Sequence, residues 1–499
     1  MQVHVNLIGR KDLSGEIYRQ LRQAIVDGRL RSGDCLPASR ALSRSLEVSR
    51  TTVTVAYDRL ASDGFVASRV GAGTYVSKRV APAVPRATKR HGSASALRPQ
   101  AVWDSIRLST AFASSSEFDF RTGLPDATLF PHDMWRRLMA RELRSEALSR
   151  GVYSHPAGHR GLREAIARHI GISRGIAASA DDVTITSGAQ QALDIVARSL
   201  LAPGDRVAVE DPGYTPPHLL FKSLGAQIYG IPIDEQGIVV DALPRHTRLE
   251  YVTPSHQYPL GVTLSLPRRL ALLDWAERNN AGIIEDDYDS EFRFEGRPME
   301  PLQTLDTSGR VIYVGSFSKS LLPALRLGFL VTPRCCTLAV HKAKYVTDWH
   351  TSMLAQAALA RFIEDGGFAR RIRKISRVYN VRRDIVANIL TNDFADHLEI
   401  IPSAAGLHIS ALARAASVDE LREVARGAAE HGVMVQELSR FAVDASPRAG
   451  LALGYGAIPT GRIREGLRVL RQSFRHVTGN GHCALDQRPN DDHLRNFKA

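Results

Sequence analysis

Six short apolar runs, VTIT, RVAVE, LEYVT, GIIED, VIYVG and GFLVT, recur through the middle of the chain, separated by helical stretches such as QQALDIVARSLL. Neither side of these runs is suited to face water. Strands apolar on both faces and separated by amphipathic helices predict a mostly parallel sheet covered by helices. The pattern opens near residue 118 and turns helical near residue 365. It ends in a smaller α+β segment marked by GLHISALA, LREVARGAAEHG and GLALGYG. Residues 118–478 therefore read as an α/β domain with a C-terminal α+β subdomain, and residues 479–499 as a polar tail.

A chain of 499 residues has room for more than one domain, and residues 10–78 read as a separate α+β unit. The stretch SGEIYRQLRQAIVDG sets Ile17, Leu21 and Ile25 at helical spacing, with Gly28 placed to end the helix. A second short helix after Pro37 carries Leu42 and Leu46. A third, capped by Ser49, carries Val53, Ala56 and Leu60 before Gly64 stops it. FVASR and TYVS flank Gly71 and Gly73, which supply the backbone freedom of a tight wing. The second helix, a three-residue turn and the third helix have helix-turn-helix spacing. Arg50, Thr51 and Thr52 then lie at the end of the recognition helix where side chains reach base edges and amides meet phosphates. A three-helix unit used only for packing is the competing reading of this local pattern.

Charge distribution bears on that choice. The chain carries a net charge of +13, and residues 1–100 hold 17 Lys and Arg against seven Asp and Glu. A basic excess confined to the N-terminal fifth suits a polyphosphate partner, double-stranded DNA above all, although a solubilising basic segment has the same signature. Residues 79–117, rich in Pro, Ser, Ala and Arg, read as a flexible linker. With 44% hydrophobic and 23% charged residues, the composition excludes a disordered chain. No apolar run is long enough to span a bilayer and the N-terminus lacks a signal-peptide core, so a cytoplasmic location without membrane contact is expected. Cys35, Cys335, Cys336 and Cys483 show no ligand spacing, so neither a disulfide framework nor a zinc site is expected.

The strongest chemical motif is Ser316-Phe317-Ser318-Lys319, directly after VIYVG. A lysine just past a buried strand is costly to desolvate unless it has a task, and Schiff-base formation with an aldehyde is such a task. Arg326, seven residues on, offers a guanidinium fork to a phosphate. A surface lysine near a structural arginine is the competing reading if SFSK stood alone. The acidic run Glu285, Asp286, Asp287, Asp289 and Glu291 also suits a divalent metal or a solvated strand end. No histidine or second acidic cluster accompanies it at a recognisable spacing, so no metal is expected.

Residues 17–76 resemble the GntR-type winged helix-turn-helix, keeping its positions as Leu36-Pro37, Ser39, Arg40, Ser49, Arg50, Thr52, Gly71, Gly73, Thr74 and Val76. The resemblance implies DNA contacts from Arg40, Ser49, Arg50, Thr51 and Thr52, with Gly71 letting the wing approach the minor groove. GSFSKSLLPALRLGFLV resembles the lysine region of fold-type I, class I aminotransferases, and the other stations of that family follow in order over residues 118–474. This implies pyridoxal 5'-phosphate on Lys319. The phosphate would be held by Gly188, Ala189 and Gln190 in SGAQQALD, by Ser316, Ser318 and Arg326, and by Tyr153 from a partner chain in a homodimer. Tyr214 in EDPGY would stack on the pyridine ring, Asp286 would meet its nitrogen, and Tyr288 its phenolic oxygen. Gly123 in GLPDATLFP belongs to the substrate loop.

Two departures sharpen the resemblance. Class I enzymes place an asparagine before the Pro-x-Gly turn, whereas TPSHQYPLG has Tyr258 there, after His256 and Gln257. Regulators of the MocR/GabR type, which fuse these two domains in this order, carry the same SHQ-P pattern, and His256 joins the cofactor residues on that basis. The GABA regulator's arginine two residues after the stacking tyrosine is Pro216 here, which argues against a GABA-type effector. Arg440 is the candidate for an effector carboxylate, with Arg448 as the alternative. The resemblance thus implies a transcriptional regulator that senses PLP itself, an amine or an amino acid. The alternative is an active aminotransferase with an accessory DNA-binding domain, and half-transamination is compatible with either.

Overall fold

The computed structural model describes residue 5 and residues 12–69, 73–77, 98–106, 116–144, 152–296, 299–444 and 447–483. It divides into two units, residues 1–99 and 100–499.

In the first unit three helices, α1 (Leu13–Val26), α2 (Ser39–Ser45) and α3 (Arg50–Ser62), precede an antiparallel hairpin of β1 (Val66–Arg69) and β2 (Gly73–Val76). Ile17, Leu21, Ile25, Leu42, Val53, Ala56 and Leu60 form its core, so the expected helical stripes meet one another. Each boundary has a local cause. Ser49 adopts extended backbone and its Oγ accepts from Thr52 N at 3.0 Å, which starts α3. Gly28 and Gly64, at φ 73° and 77°, turn the chain away after α1 and α3. Gly71 lies outside the described residues.

In the second unit, β3 (Phe118–Asp119) joins the C-terminal part of the chain by pairing with β14 (Val433–Met434). The main sheet has eight strands: β4 (Val183–Thr186), β5 (Arg206–Asp211), β6 (Gln227–Asp234), β7 (Gly237–Ile238), β8 (Thr247–Val252), β9 (Gly282–Asp287), β10 (Val311–Ser316) and β11 (Gly328–Val331). Their order is β4-β11-β10-β9-β8-β5-β6-β7. The run from β10 to β6 is parallel, whereas β11 and β7 pair antiparallel with their neighbours. All six apolar runs are strands of this sheet. Two further strands, β6 and β7, escaped the pattern because QIYGIPID is interrupted by Gly230 and Pro232 and is only partly buried.

Both faces of the sheet are covered. Ile284, Ile312 and Val314 pack with Leu193 and Val196 of the helix Ala189–Leu200 on one face. On the other, Ile185, Tyr313 and Phe329 pack with Ile166 of the helix Arg160–Arg174 and Phe362 of the helix Met353–Glu364. The long helix Gly367–Asp393 leads to an antiparallel sheet of β12 (Leu398–Ile400), β13 (His408–Ala413), β16 (Gly450–Gly454) and β15 (Gln436–Glu437). The last helix, Ile463–Cys483, runs four residues beyond the start of the expected polar tail. Within the expected linker, Ala101–Ser105 form a short 3-10 turn.

Replacing Ser49 by Ala removes the acceptor at the start of α3, at a cost of about 1 kcal/mol. Hydrogen exchange of the amides of Arg50–Val53 should then accelerate about five-fold, the ratio that energy corresponds to, with exchange in the second unit unchanged.

Candidate cofactor site and nucleic-acid interface

The C-terminal ends of β8, β9 and β10 and the start of the helix Ala189–Leu200 line one cavity of about 370 Å³. Open α/β sheets place ligands at such strand ends. The loop after β10 brings Lys319 into it, where Nζ donates to the Gly123 carbonyl at 2.5 Å. Gly123 sits at φ 75°, and a methyl group there would stand 3.1 Å from the amine. Burial pushes the Lys319 amine below its ordinary range, opposed by the charges of Asp289 and Asp286.

Asp286, at the end of β9, lines the same cavity and is 3% exposed. Its Oδ2 accepts from the Tyr251 hydroxyl at 2.8 Å, while buried Oδ1 has no hydrogen-bond partner. Burial raises this carboxyl to about 7, despite the hydrogen bond from Tyr251, and the neighbouring charge of Asp287 adds to the rise. The neighbours in the acidic run go elsewhere: Glu285 accepts from the amides of Leu302 and Gln303, Asp287 pairs with Arg174, and Asp289 with His256.

At the start of the helix Ala189–Leu200, Gly188 adopts φ 78°, and Ala189 and Gln190 line the cavity. Arg326, itself in left-handed backbone at φ 51°, also lines it and donates from Nη2 to the Ser187 carbonyl at 2.8 Å. A Cβ on Gly188 would lie 2.9 Å from Arg326 Nη2, and one on Gly328 would lie 2.9 Å from the Gly188 backbone. The two glycines thus allow the guanidinium to sit against the helix start. Ser316 and Ser318 add hydroxyls, with Ser318 N donating to Ser316 Oγ at 3.1 Å. Helix-start amides beside an arginine form a phosphate cradle.

Tyr214 and Tyr288 complete the aromatic wall. Burial raises the Tyr214 hydroxyl to about 12, and its ring meets that of Tyr258 edge-on at 5.4 Å. The Tyr288 hydroxyl donates to the His256 carbonyl at 3.0 Å and lies 3.0 Å from His256 Nδ1. An unpartnered buried carboxylate oxygen, a buried amine whose charged form is disfavoured and a phosphate cradle in one cavity fit pyridoxal 5'-phosphate.

Several expected residues lie elsewhere. His256 is buried behind Tyr288, with Nδ1 2.9 Å from Asp289 Oδ2, and does not line the cavity. Its neighbour His408 turns Nε2 to the Pro259 carbonyl at 2.9 Å. Tyr153 is 75% exposed and packs edge-on against Trp349 at 4.0 Å, outside the cavity of its own chain. Arg440 is exposed on a 3-10 turn beside Glu437, and Arg448 donates to the Ile233 carbonyl. Neither arginine lines the cavity, since the turn Leu438–Phe441 packs Leu438 and Phe441 inward and leaves Arg440 exposed; among the described lining residues Arg326 is the one guanidinium. Tyr251, Thr122 and Tyr258 were missed as site residues. Thr122 Oγ1 lies 2.5 Å from the Tyr258 hydroxyl and 2.7 Å from Gln436 Oε1, contacts between distant segments. For Tyr251 the signal was a phenol near the end of an expected buried strand.

In the first unit, Arg40, Ser49, Arg50 and Thr51 are exposed. Arg50 Nε donates to Ser39 Oγ at 3.4 Å, linking α3 to α2. Ser49, Thr51 and Thr52 share a shallow concavity with Leu13 and Ser14, so the starts of α1 and α3 lie side by side. Helix starts set side by side offer neighbouring amides and hydroxyls of the kind that suits a phosphate. The α1 contribution had no signature beyond its helical stripe.

Comparison with known proteins matches both units. Residues 125–455 match the family "Aminotransferase class I and II", and residues 13–76 match "Bacterial regulatory proteins, gntR family". The chain is 37% identical to the probable rhizopine catabolism regulatory protein MocR of Rhizobium meliloti over 476 residues, covering 95% of this chain and 96% of that protein. It is 31% identical over 443 residues to the pyridoxine biosynthesis transcriptional regulator PdxR of Corynebacterium glutamicum, covering 89% and 91%. The crystal structure of Pyrococcus horikoshii kynurenine aminotransferase in complex with PMP superposes with a TM-score of 0.71 at 27% identity, covering 77% of this chain and 98% of that one.

Gly188→Ala should weaken cofactor retention at least tenfold, read by equilibrium dialysis, because the added methyl displaces Arg326 from the cradle. A pH effect follows from Asp286. Its carboxyl titrates at about 7 in the folded chain against an ordinary 3.8, so between those values the native state holds more protons and stability falls as pH rises. Cofactor-free protein should lose thermal stability between about pH 4 and pH 7, and Asp286→Asn should make that loss shallower. Equal slopes for the two proteins would refute the assignment.

Proposed function

The chain belongs to the MocR/GabR-type branch of the gntR family of bacterial regulators, and from that premise we propose that it binds operator DNA as a homodimer whose affinity follows occupancy of the Lys319 cavity. The observation that carries this reading is the joint placement of Lys319, Asp286 and Arg326 around one cavity in a chain that also holds an exposed, arginine-bearing helix start.

Lys319, whose charged form burial disfavours, would provide the nucleophilic amine. Pyridoxal 5'-phosphate, when bound, supplies an aldehyde to that amine and an electron-withdrawing ring. Asp286 would hold the proton on the ring nitrogen, the Tyr288 hydroxyl would turn from the His256 carbonyl towards the phenolic oxygen, and Tyr214 would cover the ring. Arg326, Ser316, Ser318 and the amides of Ala189 and Gln190 hold the phosphate. With Arg326 so engaged, the cavity has no second guanidinium among the described residues for an effector carboxylate. This favours the vitamer itself, or an amine without a carboxylate, over an amino acid as the sensed ligand. The relatives named for pyridoxine biosynthesis and rhizopine catabolism are compatible with either choice.

Exposed Val152, Tyr153, Tyr345, Val346 and Trp349 support the homodimer. Tyr345 stacks on Trp349 at 5.4 Å, and Tyr153 caps the pair. An aromatic cluster left on the surface of one chain suits burial against a second copy. Tyr153 would then donate to the phosphate of the partner's site.

The test is a gel shift with DNA from upstream of the gene, using the full chain with and without PLP. Binding should change at least tenfold with the vitamer. Lys319→Ala should lose both that response and the visible absorbance of bound cofactor while still binding DNA. Affinity that is the same in all four conditions would reject the switch.

A further inference from the structure

Behind the cofactor site lies a second cavity of about 370 Å³ that the reading above does not use. Strand alternation creates it. Successive residues of β9 point to opposite faces of the sheet, so Asp286 faces the cofactor cavity and Asp287 faces the other. Ile170, Phe317, Phe329 and Ile372 supply apolar walls.

Five charged side chains line it: Arg174, Asp287, Glu291, Arg293 and the exposed Arg373. Arg174 Nη2 lies 2.6 Å from Asp287 Oδ2 and donates to Ser255 Oγ at 2.9 Å. Asp287 Oδ2 also accepts from the Tyr313 hydroxyl at 2.5 Å and from Ser290 Oγ at 2.8 Å. The side chains of Arg174 and Asp287 are only 10% and 1% exposed. Arg174 Nε, Asp287 Oδ1, Arg293 Nε and Glu291 Oε2 are each buried without a hydrogen-bond partner. Among the described residues Arg293 forms no ion pair. Burial and then Arg174 push its guanidinium below the ordinary range. Glu291, raised to about 8 by burial and by Asp287, is mostly neutral at pH 7 and leaves the Arg293 charge uncompensated.

Buried polar groups without partners are costly, and two donors with two acceptors around an apolar chamber describe a ligand with both kinds of group. A carboxylate alone answers the arginines and leaves Asp287 Oδ1 unserved. An amine alone answers Asp287 and leaves Arg293 unserved. An α-amino acid answers both, and the walls take an apolar side chain. A chamber of this size is ample for one such molecule.

We propose that the cavity between Arg174, Asp287, Arg293 and Ile372 is a binding site for an apolar α-amino acid, separate from the cofactor site. It gives the protein a second small-molecule input whose wall, at Ser316, is shared with the cofactor cavity.

The test is titration calorimetry on the full chain after PLP loading and borohydride reduction, which blocks the cofactor cavity. The probes are L-leucine, L-phenylalanine, 4-methylpentanoate and isopentylamine. Both amino acids should bind, and loss of either the amine or the carboxylate should weaken binding at least tenfold. Arg293→Gln should weaken leucine binding at least tenfold. Ile372→Trp, which fills the chamber, should abolish it with the bound-cofactor absorbance unchanged. That spectrum separates a failure of this site from a failure of the cofactor reading. Absence of binding by both amino acids up to about 10 mM, well beyond a dissociation constant of roughly 1 mM, overturns the proposal. Leucine binding that survives both substitutions, or binding of the acid or amine as tight as that of leucine, also overturns it.

Discussion

Lys319 and Asp286 share one cavity, and desolvation drives each towards its uncharged form. A lysine and an aspartate in water would both be ionised. In this cavity the amine is biased to be a nucleophile and the carboxyl to hold its proton until a positively charged partner draws it off. A bound group that reacts with the amine and offers a basic ring nitrogen satisfies both at once. Its binding free energy then adds directly to the stability of the folded state, which makes occupancy of this cavity a quantity that the rest of the molecule can respond to.

That arrangement depends on strand register. Asp286 pairs with Val314 and Asp287 with Gly315 between β9 and β10. A slip of one residue would exchange the faces of the two carboxylates, sending the Arg174 partner into the cofactor cavity and the cofactor's carboxylate behind the sheet. Gly315 helps to hold the register, since a Cβ there would stand 2.2 Å from the Phe329 ring. The phosphate cradle is pinned in a similar way. Gly188 and Gly328 touch, and Arg326 keeps a left-handed backbone that costs energy and is maintained by the antiparallel strand β11 behind it.

How much of this was legible in the chain varied with the range of the cause. Helices α1 to α3 and six strands of the main sheet were legible because their apolar periodicity is local. β6 was not, since Gly230 and Pro232 break its pattern and pairing with β5 and β7 holds it extended. In the site, Lys319, Arg326, Asp286, Tyr214 and the Gly188–Gln190 turn sit at strand ends or helix starts and could be read from short motifs. Thr122, Tyr251 and the hydrogen bond between Thr122 and Tyr258 depend on contacts across 136 residues or on strand order, which no local motif contains. His256 was misjudged for the same reason. Its motif places it near the cofactor, but only the fold shows that Asp289 claims its ring and that it supports Tyr288 rather than facing the cavity.

Arg440 exposes the limit of carrying a role along an alignment. An enzyme that turns over α-amino acids benefits from a fixed cation for the substrate carboxylate, because misplacement of the reacting carbon by even 1 Å costs roughly 100-fold in rate. Here the guanidinium that lines the cavity is already engaged at the helix start with Ser187, and Arg440 points to solvent beside Glu437. The hydroxyls of Thr122 and Tyr258 line the cavity instead, tied to each other and to Gln436. Neutral hydroxyls orient a ligand without clamping a carboxylate. A cavity so equipped retains the means to hold a cofactor and loses a device for rapid exchange of amino-acid substrates. Such a lining suits retention of a bound cofactor.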